Sequence, residues 1–203
     1  MSWPNYVILR RIEPITTLKR LVATIDRLTH AVAGTMETVN RKQGTLDSMI
    51  RQPTSRTCFM CGRENSHGLK MVWYNNLESN RVEAAVTIGE QFNGYPGIAH
   101  GGIVAAILDE TSGRAAMLDG NFDNLFVTLR LNVAYRRPTP TNTSLKAVGW
   151  LEHRGSRGMK VAAELLLPDG TITTECKAVV VRPTGEIAKS WEPEKKFWRV
   201  EED

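Results

Sequence analysis

Four strand-length runs follow one another between residues 125 and 181, and only turn signals separate them. They are LFVTLRLNVAYRR (125–137), SLKAVGWLEHR (144–154), MKVAAELLL (159–167) and TITTECKAVVV (171–181). The breaks carry Pro138 and Pro140, then Gly155-Ser156-Arg157-Gly158, then Pro168-Asp169-Gly170. Such breaks close hairpins, and proline cannot donate to a ladder. Parallel neighbours need a crossover, usually a helix, between them. These breaks have no room for one, so the spacing predicts antiparallel strands and argues against a doubly wound sheet. In the first run Val127, Leu129, Leu131 and Val133 alternate with Thr128, Arg130, Asn132 and Ala134. That pattern predicts one apolar and one polar face.

Upstream lie two shorter β-like runs, LKMVWYN and RVEAAVTI, joined by the polar turn NLESN. Between them and the four long runs sits Asn93–Met117, NGYPGIAHGGIVAAILDETSGRAAM. Its glycine-rich start gives way to a helix of small and apolar residues entered at Gly101 and Gly102. The first N–H groups of a helix lack intrahelical partners and favour an anion. The order is therefore β-β-helix-β-β-β-β, and an antiparallel sheet with one face against a central helix buries both patterns. The helix carries an acid pair, Asp109 and Glu110, in a mostly apolar setting where a carboxylate needs a reason to be. The two lie about 100° apart round the helix. Glu110 has Arg114 four residues on, the spacing of a local ion pair. Asp109 is left as the candidate functional carboxylate.

Residues 1–55 read differently. After Pro14, apolar residues recur at Ile15, Leu18, Leu21, Val22, Ile25, Leu28 and Val32, which predicts a helix ending near Gly34. A short helix and a linker are expected over 35–55, with Leu46, Met49 and Ile50 as anchors. The expected division is a helical N-terminal arm (1–55), a main domain (56–183) and a charged tail (184–203) that Trp191, Phe197 and Trp198 can pin to the body. The formal charge of +4 is mild, and the basic residues form no long stripe with aromatics, so nucleic-acid binding is not expected. Three cysteines do not make a disulfide scaffold and fit a reducing compartment. No run has the length of a membrane span or the pattern of a signal peptide, so a cytoplasmic protein is expected. Cys58 and Cys61 have the spacing of half a zinc site, with His67, Cys176 or a second subunit as completing groups. A glycine-rich turn with buried thiols explains them as well, and no metal or organic cofactor is expected.

The ordered set CFMCGRENSHGLKM, GYPGIAHGGIVAAILDE, VTLRLNVAYRRPTP and the Pro168-Asp169-Gly170 turn resembles the hotdog-fold acyl-CoA thioesterases, in particular the phenylacetate-degradation branch. The resemblance covers about Cys58 to Val181 and says nothing of residues 1–55. It implies an α+β hotdog fold, a sheet wrapped round a central helix, here with an extra N-terminal helical arm. It implies a homodimer or a dimer of dimers, with acyl-CoA or another acyl thioester bound between subunits. His100, Gly101 and Gly102 match the family's His-Gly-Gly, and Asp109 its catalytic carboxylate. Thr128 matches a Ser/Thr position that helps hold water from the partner subunit, and Gln91 or Asn93 matches a loop amide near the thioester.

On this reading Asp109 acts as general base on water or as nucleophile, and the Gly102 N–H faces the developing oxyanion. His100 orients the loop. Arg136, Arg137, Arg154 and Arg157 are candidate contacts for the phosphates of coenzyme A, the 154–157 hairpin preferred. A non-catalytic acyl-CoA-binding protein and a hydratase or dehydratase are the alternatives on the same scaffold.

Overall fold

The structure, a computed structural model, describes Arg27, His30 and residues 48–201. The chain divides into two units, Met1–Asp47 and Ser48–Asp203. The helix expected over 15–32 lies outside the described residues except at Arg27 and His30, which are helical.

In the second unit the elements run β1 (Met49–Arg51), β2 (Tyr74–Asn76), β3 (Arg81–Thr87), β4 (Asn93–Tyr95), β5 (Ile98–Ala99), α1 (Gly101–Ala115), β6 (Val127–Tyr135), β7 (Ser144–Arg154), β8 (Met159–Leu166), β9 (Ile172–Val181) and α2 (Gly185–Trp191). Seven strands form one sheet in the order β1-β2-β3-β7-β8-β9-β6, every pairing antiparallel. β4 and β5 form a separate ribbon before the helix. This is the α+β hotdog arrangement, with the helix against one face of the sheet.

The helix forms where its pattern calls for one. Val104, Ile107, Leu108, Thr111, Ser112 and Ala115 are buried, at spacings of one, three and four that make a single apolar stripe. The stripe packs across β3, β7, β8 and β9. Val82, Ala84 and Val86 of β3 alternate inward, as do Val161, Ala163 and Leu165 of β8. Gly149 lets the helix come close: a Cβ there would sit 2.9 Å from the Thr111 carbonyl oxygen.

Two expectations are corrected. Met49–Ile50 belongs neither to a helix nor to a linker: with Arg51 it forms β1, paired to Tyr74–Asn76. Gln52 is fully buried, its Nε2 donating to Asn75 Oδ1 at 2.6 Å and to the Arg114 carbonyl at 3.1 Å. The run LKMVWYN holds only the start of a strand at Tyr74, because its buried Met71 and Trp73 bind the core ahead of the ladder.

The third correction bears on the site. In β6 the register passes from Thr128 opposite Val180 to Arg130 opposite Val179, so Leu129 is an extra, bulged residue. It points out, 70% exposed. A bulge inverts the inward-outward parity of the residues on one side of it. Thr128 therefore shares a face with Val180, Ala178 and Cys176, the core face, whereas strict alternation puts it on the opposite side.

The C-terminal segment packs on the body. Trp198 Nε1 donates to the Phe122 carbonyl at 2.8 Å and its ring meets Trp191 edge-on at 5.9 Å. The Arg56 guanidinium lies 4.2 Å over the Phe197 ring. No described helix is long and apolar enough to cross a membrane.

Candidate active site

The start and the middle of α1 each carry part of the set singled out in the sequence. At its start His100 is the N-cap, and its Nδ1 accepts the Gly102 N–H at 3.0 Å. This corrects the role expected of Gly102, since its N–H is already engaged. The Gly101 N–H has no partner among the described residues, and the Gly101 carbonyl accepts from Tyr135 Oη at 2.7 Å. The free donor at the positive end of the helix is thus Gly101. Tyr135 is a participant that the sequence argument missed. The preceding loop holds the other candidates nearby. The His100 N–H donates to the Phe92 carbonyl at 2.8 Å, and a Cβ on Gly94 would touch His100. Gln91 and Asn93 are exposed, with Asn93 Nδ2 donating to Glu90 Oε2 at 3.1 Å. Thr141 and Asn93 hold the Glu90 carboxyl below its usual range, which keeps it an acceptor for that loop.

Eight residues on, Thr128 Oγ1 donates to Asp109 Oδ1 at 2.7 Å. Both residues belong to the same chain, whereas the resemblance implied a Thr128 brought by a partner subunit. The bulge at Leu129 makes the contact possible. The hydroxyl fixes one carboxylate oxygen, and the other has no partner among the described residues. A rise of 1.5 Å per residue puts Asp109 about 12 Å along the axis from Gly101. No single carbonyl reaches both groups in one chain.

Asp109 and Thr128 line a cavity of about 580 Å³. Leu125, Phe126, Met117 and the C-terminal Ile187, Trp191 and Trp198 form its apolar wall. Another side is polar, with Cys58, Cys61, Glu110 and Arg114. The expected Glu110–Arg114 pair is present, Nε to Oε1 at 2.8 Å, but it is only part of what Arg114 does. Its side chain is 1% exposed. It also donates to the Pro53 carbonyl at 2.6 Å and to Cys61 Sγ at 3.1 Å, and lies between the Trp73 and Trp198 rings. A buried cation needs that many partners.

The Cys61 thiol is lowered to about 6, first by the hydrogen bond from Cys58 and then, against burial, by the Arg114 charge. Cys58 is pushed up by its bond to Cys61, by burial and by the Glu110 charge. Burial likewise raises Cys176, whose Sγ lies 3.1 Å from Ser112 Oγ.

The four candidate arginines fall at opposite ends. Arg136 pairs with Glu175, and its backbone N–H and that of Arg137 both donate to the Thr173 carbonyl beyond the end of β6. Arg154 pairs with Asp119 at 3.0 Å, and with Arg157 and Arg182 it lines a second cavity of about 390 Å³. Phe126 borders both cavities. Arg182 was not singled out in the sequence, because it lies past the last strand and only the fold returns it to the 154–157 hairpin.

The family model described as Thioesterase superfamily matches residues 96–174, from the helix entry through β6, β7, β8 and the start of β9. Over that segment the chain is similar to the thioesterase superfamily. Over 120 residues, 59% of this chain, it is 26% identical to mouse acyl-coenzyme A thioesterase THEM4 and likewise 26% to the rat protein. The match spans about half the length of these relatives, 50% of each. A crystal structure described as a thioesterase superfamily protein superposes with a TM-score of 0.56 at 21% identity, covering 84% of this chain and 81% of that one, which bears on the fold. The Cys58–Cys61 turn and the C-terminal wall of the larger cavity lie outside the superfamily match; Asp109, Thr128 and Gly101 lie within it.

Proposed function

We propose that the chain is an acyl-CoA thioesterase that hydrolyses an acyl thioester to the free acid and coenzyme A, with Asp109 as the reacting carboxylate. The observation that carries this is the Asp109–Thr128 contact in the lining of a cavity of about 580 Å³, inside the segment that matches the thioesterase superfamily. The names of the mouse and rat relatives supply the substrate class.

The chemistry follows from the start and the middle of α1. Thr128 holds Asp109 Oδ1, so the other oxygen takes a proton from water or attacks the thioester carbonyl. Negative charge then develops on the carbonyl oxygen and needs a donor within hydrogen-bond reach. The Gly101 N–H of the same chain is about 12 Å away along the helix. We assign that role to Gly101 of a second copy, which makes the protein a homo-oligomer with the site between subunits. β6 supports this, being a nine-residue edge strand with Leu129 and Tyr135 exposed, a surface that pairs readily with another strand. His100 caps the helix and keeps Gly101 and Gly102 in place. Gln91 and Asn93 border the same end. The phosphates of coenzyme A fall to Arg154 and Arg157, joined by Arg182, while Arg136 and Arg137 border the Gly101 end. The leaving thiolate takes a proton from solvent or, where Asp109 acted as base, from the protonated Asp109; where Asp109 attacked, water then hydrolyses the acyl–Asp109 anhydride to the free acid and restores the carboxylate.

Thiol release from a panel of acyl-CoAs, measured for the wild type and Asp109→Ala, tests the proposal. The variant is expected to lose about 10²–10⁴-fold in kcat/KM. Equal turnover by both proteins would remove Asp109 from the chemistry. Stabilisation by acyl-CoA without thiol release would make the chain a binding protein.

A further inference from the structure

The polar wall of the larger cavity is not used by the hydrolysis just described. Cys58 and Cys61 bring one sulfur each, and Glu110 a carboxylate oxygen, to within 4.8 Å of one another. We propose that these residues form a divalent-metal site, with zinc as the fitting ion and an open fourth position toward the cavity.

The local fold supports two metal-bound thiolates. Both sulfurs accept backbone N–H groups, Met60 N donating to Cys58 Sγ at 3.3 Å and Ser55 N to Cys61 Sγ at 3.5 Å. The turn closes through the Gly62 N–H on the Cys58 carbonyl at 2.8 Å. A Cβ on Gly62 would collide with that carbonyl, so the residue after Cys61 must be glycine. The ligands are held from outside as well. Arg114 donates Nη2 to Cys61 Sγ at 3.1 Å and Nε to Glu110 Oε1 at 2.8 Å. Ligands oriented by outer hydrogen bonds are typical of built metal sites.

Charge and ligand type select the ion. Two thiolates and one carboxylate against a single guanidinium leave two negative charges unmatched, the charge of a divalent cation. Thiolates with one carboxylate favour zinc over magnesium or calcium, which take oxygen ligands. All three ligands line the cavity shared with Asp109, so the fourth position opens to water or a substrate atom. Neither His67 nor Cys176, the completing groups expected from the sequence, belongs to the cluster. The third ligand is Glu110, brought by the helix. The metal would tie the turn at 58–62 to α1 behind Asp109.

Cobalt titration of the reduced, metal-stripped full chain tests this without reference to turnover. One equivalent of Co²⁺ is expected to give a thiolate-to-cobalt charge-transfer band in the near ultraviolet, which Zn²⁺ then abolishes. The Cys58→Ser/Cys61→Ser variant, checked for fold by circular dichroism, is expected to show no such band. Glu110→Gln is expected to keep the band with at least about tenfold weaker affinity. Zinc-edge X-ray absorption on the wild type needs no variant, and should find two sulfurs at about 2.3 Å together with oxygens at about 2.0 Å. A zinc shell of nitrogen and oxygen alone overturns the site, as does a cobalt band unchanged in the cysteine variant. So does a wild type that binds no stoichiometric metal when reduced and simply forms a Cys58–Cys61 disulfide in air. Each readout is independent of thioester hydrolysis, so the site and the proposed activity can fail separately.

Discussion

The start of α1 and its second half, from Asp109 on, are built differently, although one helix of fifteen residues joins them. The N-terminal end is made of local chain. His100 caps Gly102 two residues away, the β4–β5 ribbon precedes it, and Tyr135 is the distant side chain that reaches Gly101. The half bearing Asp109 is assembled from remote segments. Thr128 comes from β6, Cys58 and Cys61 from the turn before β2, and Trp191 and Trp198 from the C-terminal segment. The start offers backbone donors, the second half a carboxylate and a cavity. Neither is sufficient for the proposed hydrolysis, and the rise of the helix keeps them apart. Two antiparallel copies of one helix would bring each end opposite its complement.

The largest effect that separates the ends is expected from Gly101→Pro. Proline is tolerated at the first helical position, and His100 already has φ −62° and ψ 132°, the extended conformation that a following proline requires. The substitution deletes the N–H and sets ring carbons against Tyr135, whose nearest atoms lie 3.4 Å from a Cβ at this position. It should lower kcat by about 10²–10³-fold. Mixed with Asp109→Ala protein under exchange conditions, it should recover activity, because one of the two sites in a heterodimer is then intact. No recovery, with subunit exchange shown by mass, would put both ends in one chain's site and break the comparison.

A smaller loss is expected from Thr128→Val. A hydrogen bond to a charged group contributes about 1.5–3 kcal/mol, so kcat should fall roughly 10- to 100-fold while KM moves little. An unchanged kcat would show that Asp109 needs no fixing. The smallest effect should come from Arg154→Ala/Arg157→Ala. These are exposed residues, Arg154 in a screened surface pair. KM for acyl-CoA should rise about 5- to 20-fold, and salt should narrow the gap from wild type. The same change in KM for a short thioester lacking the nucleotide would remove the arginines from phosphate binding.

How much of this was legible in the sequence differs between the two ends. The antiparallel order followed from breaks too short for a crossover, and the helix from its apolar spacing. The Glu110–Arg114 pair followed from a spacing of four. The grouping of His100, Gly101 and Gly102 was readable because neighbours in sequence stay neighbours at a helix start. The engagement of the Gly102 N–H was not, because it depends on which way the His100 ring turns. In the second half Asp109 stood out as an acid in an apolar run. Its contact with Thr128 did not, because alternation alone puts Thr128 on the wrong face. One bulged residue, Leu129, reverses that parity, and period-two patterning carries no mark of it. The strand at Met49–Arg51 was missed for a related reason: three residues are too few to show a period.

By itself, then, the sequence determined the four long strands, their antiparallel order, the glycine entry of α1 and its candidate acid. All of these rest on local propensity and on periodicity within one element. Tertiary structure alone decided the rest. It brought Thr128 onto Asp109 within one chain, set the 58–62 turn against Glu110, and closed the cavity with Trp191 and Trp198. It also left the donor at Gly101 out of reach of its own carboxylate. These contacts join residues far apart in the chain, and their geometry comes from strand register and helix rise, which no single element encodes.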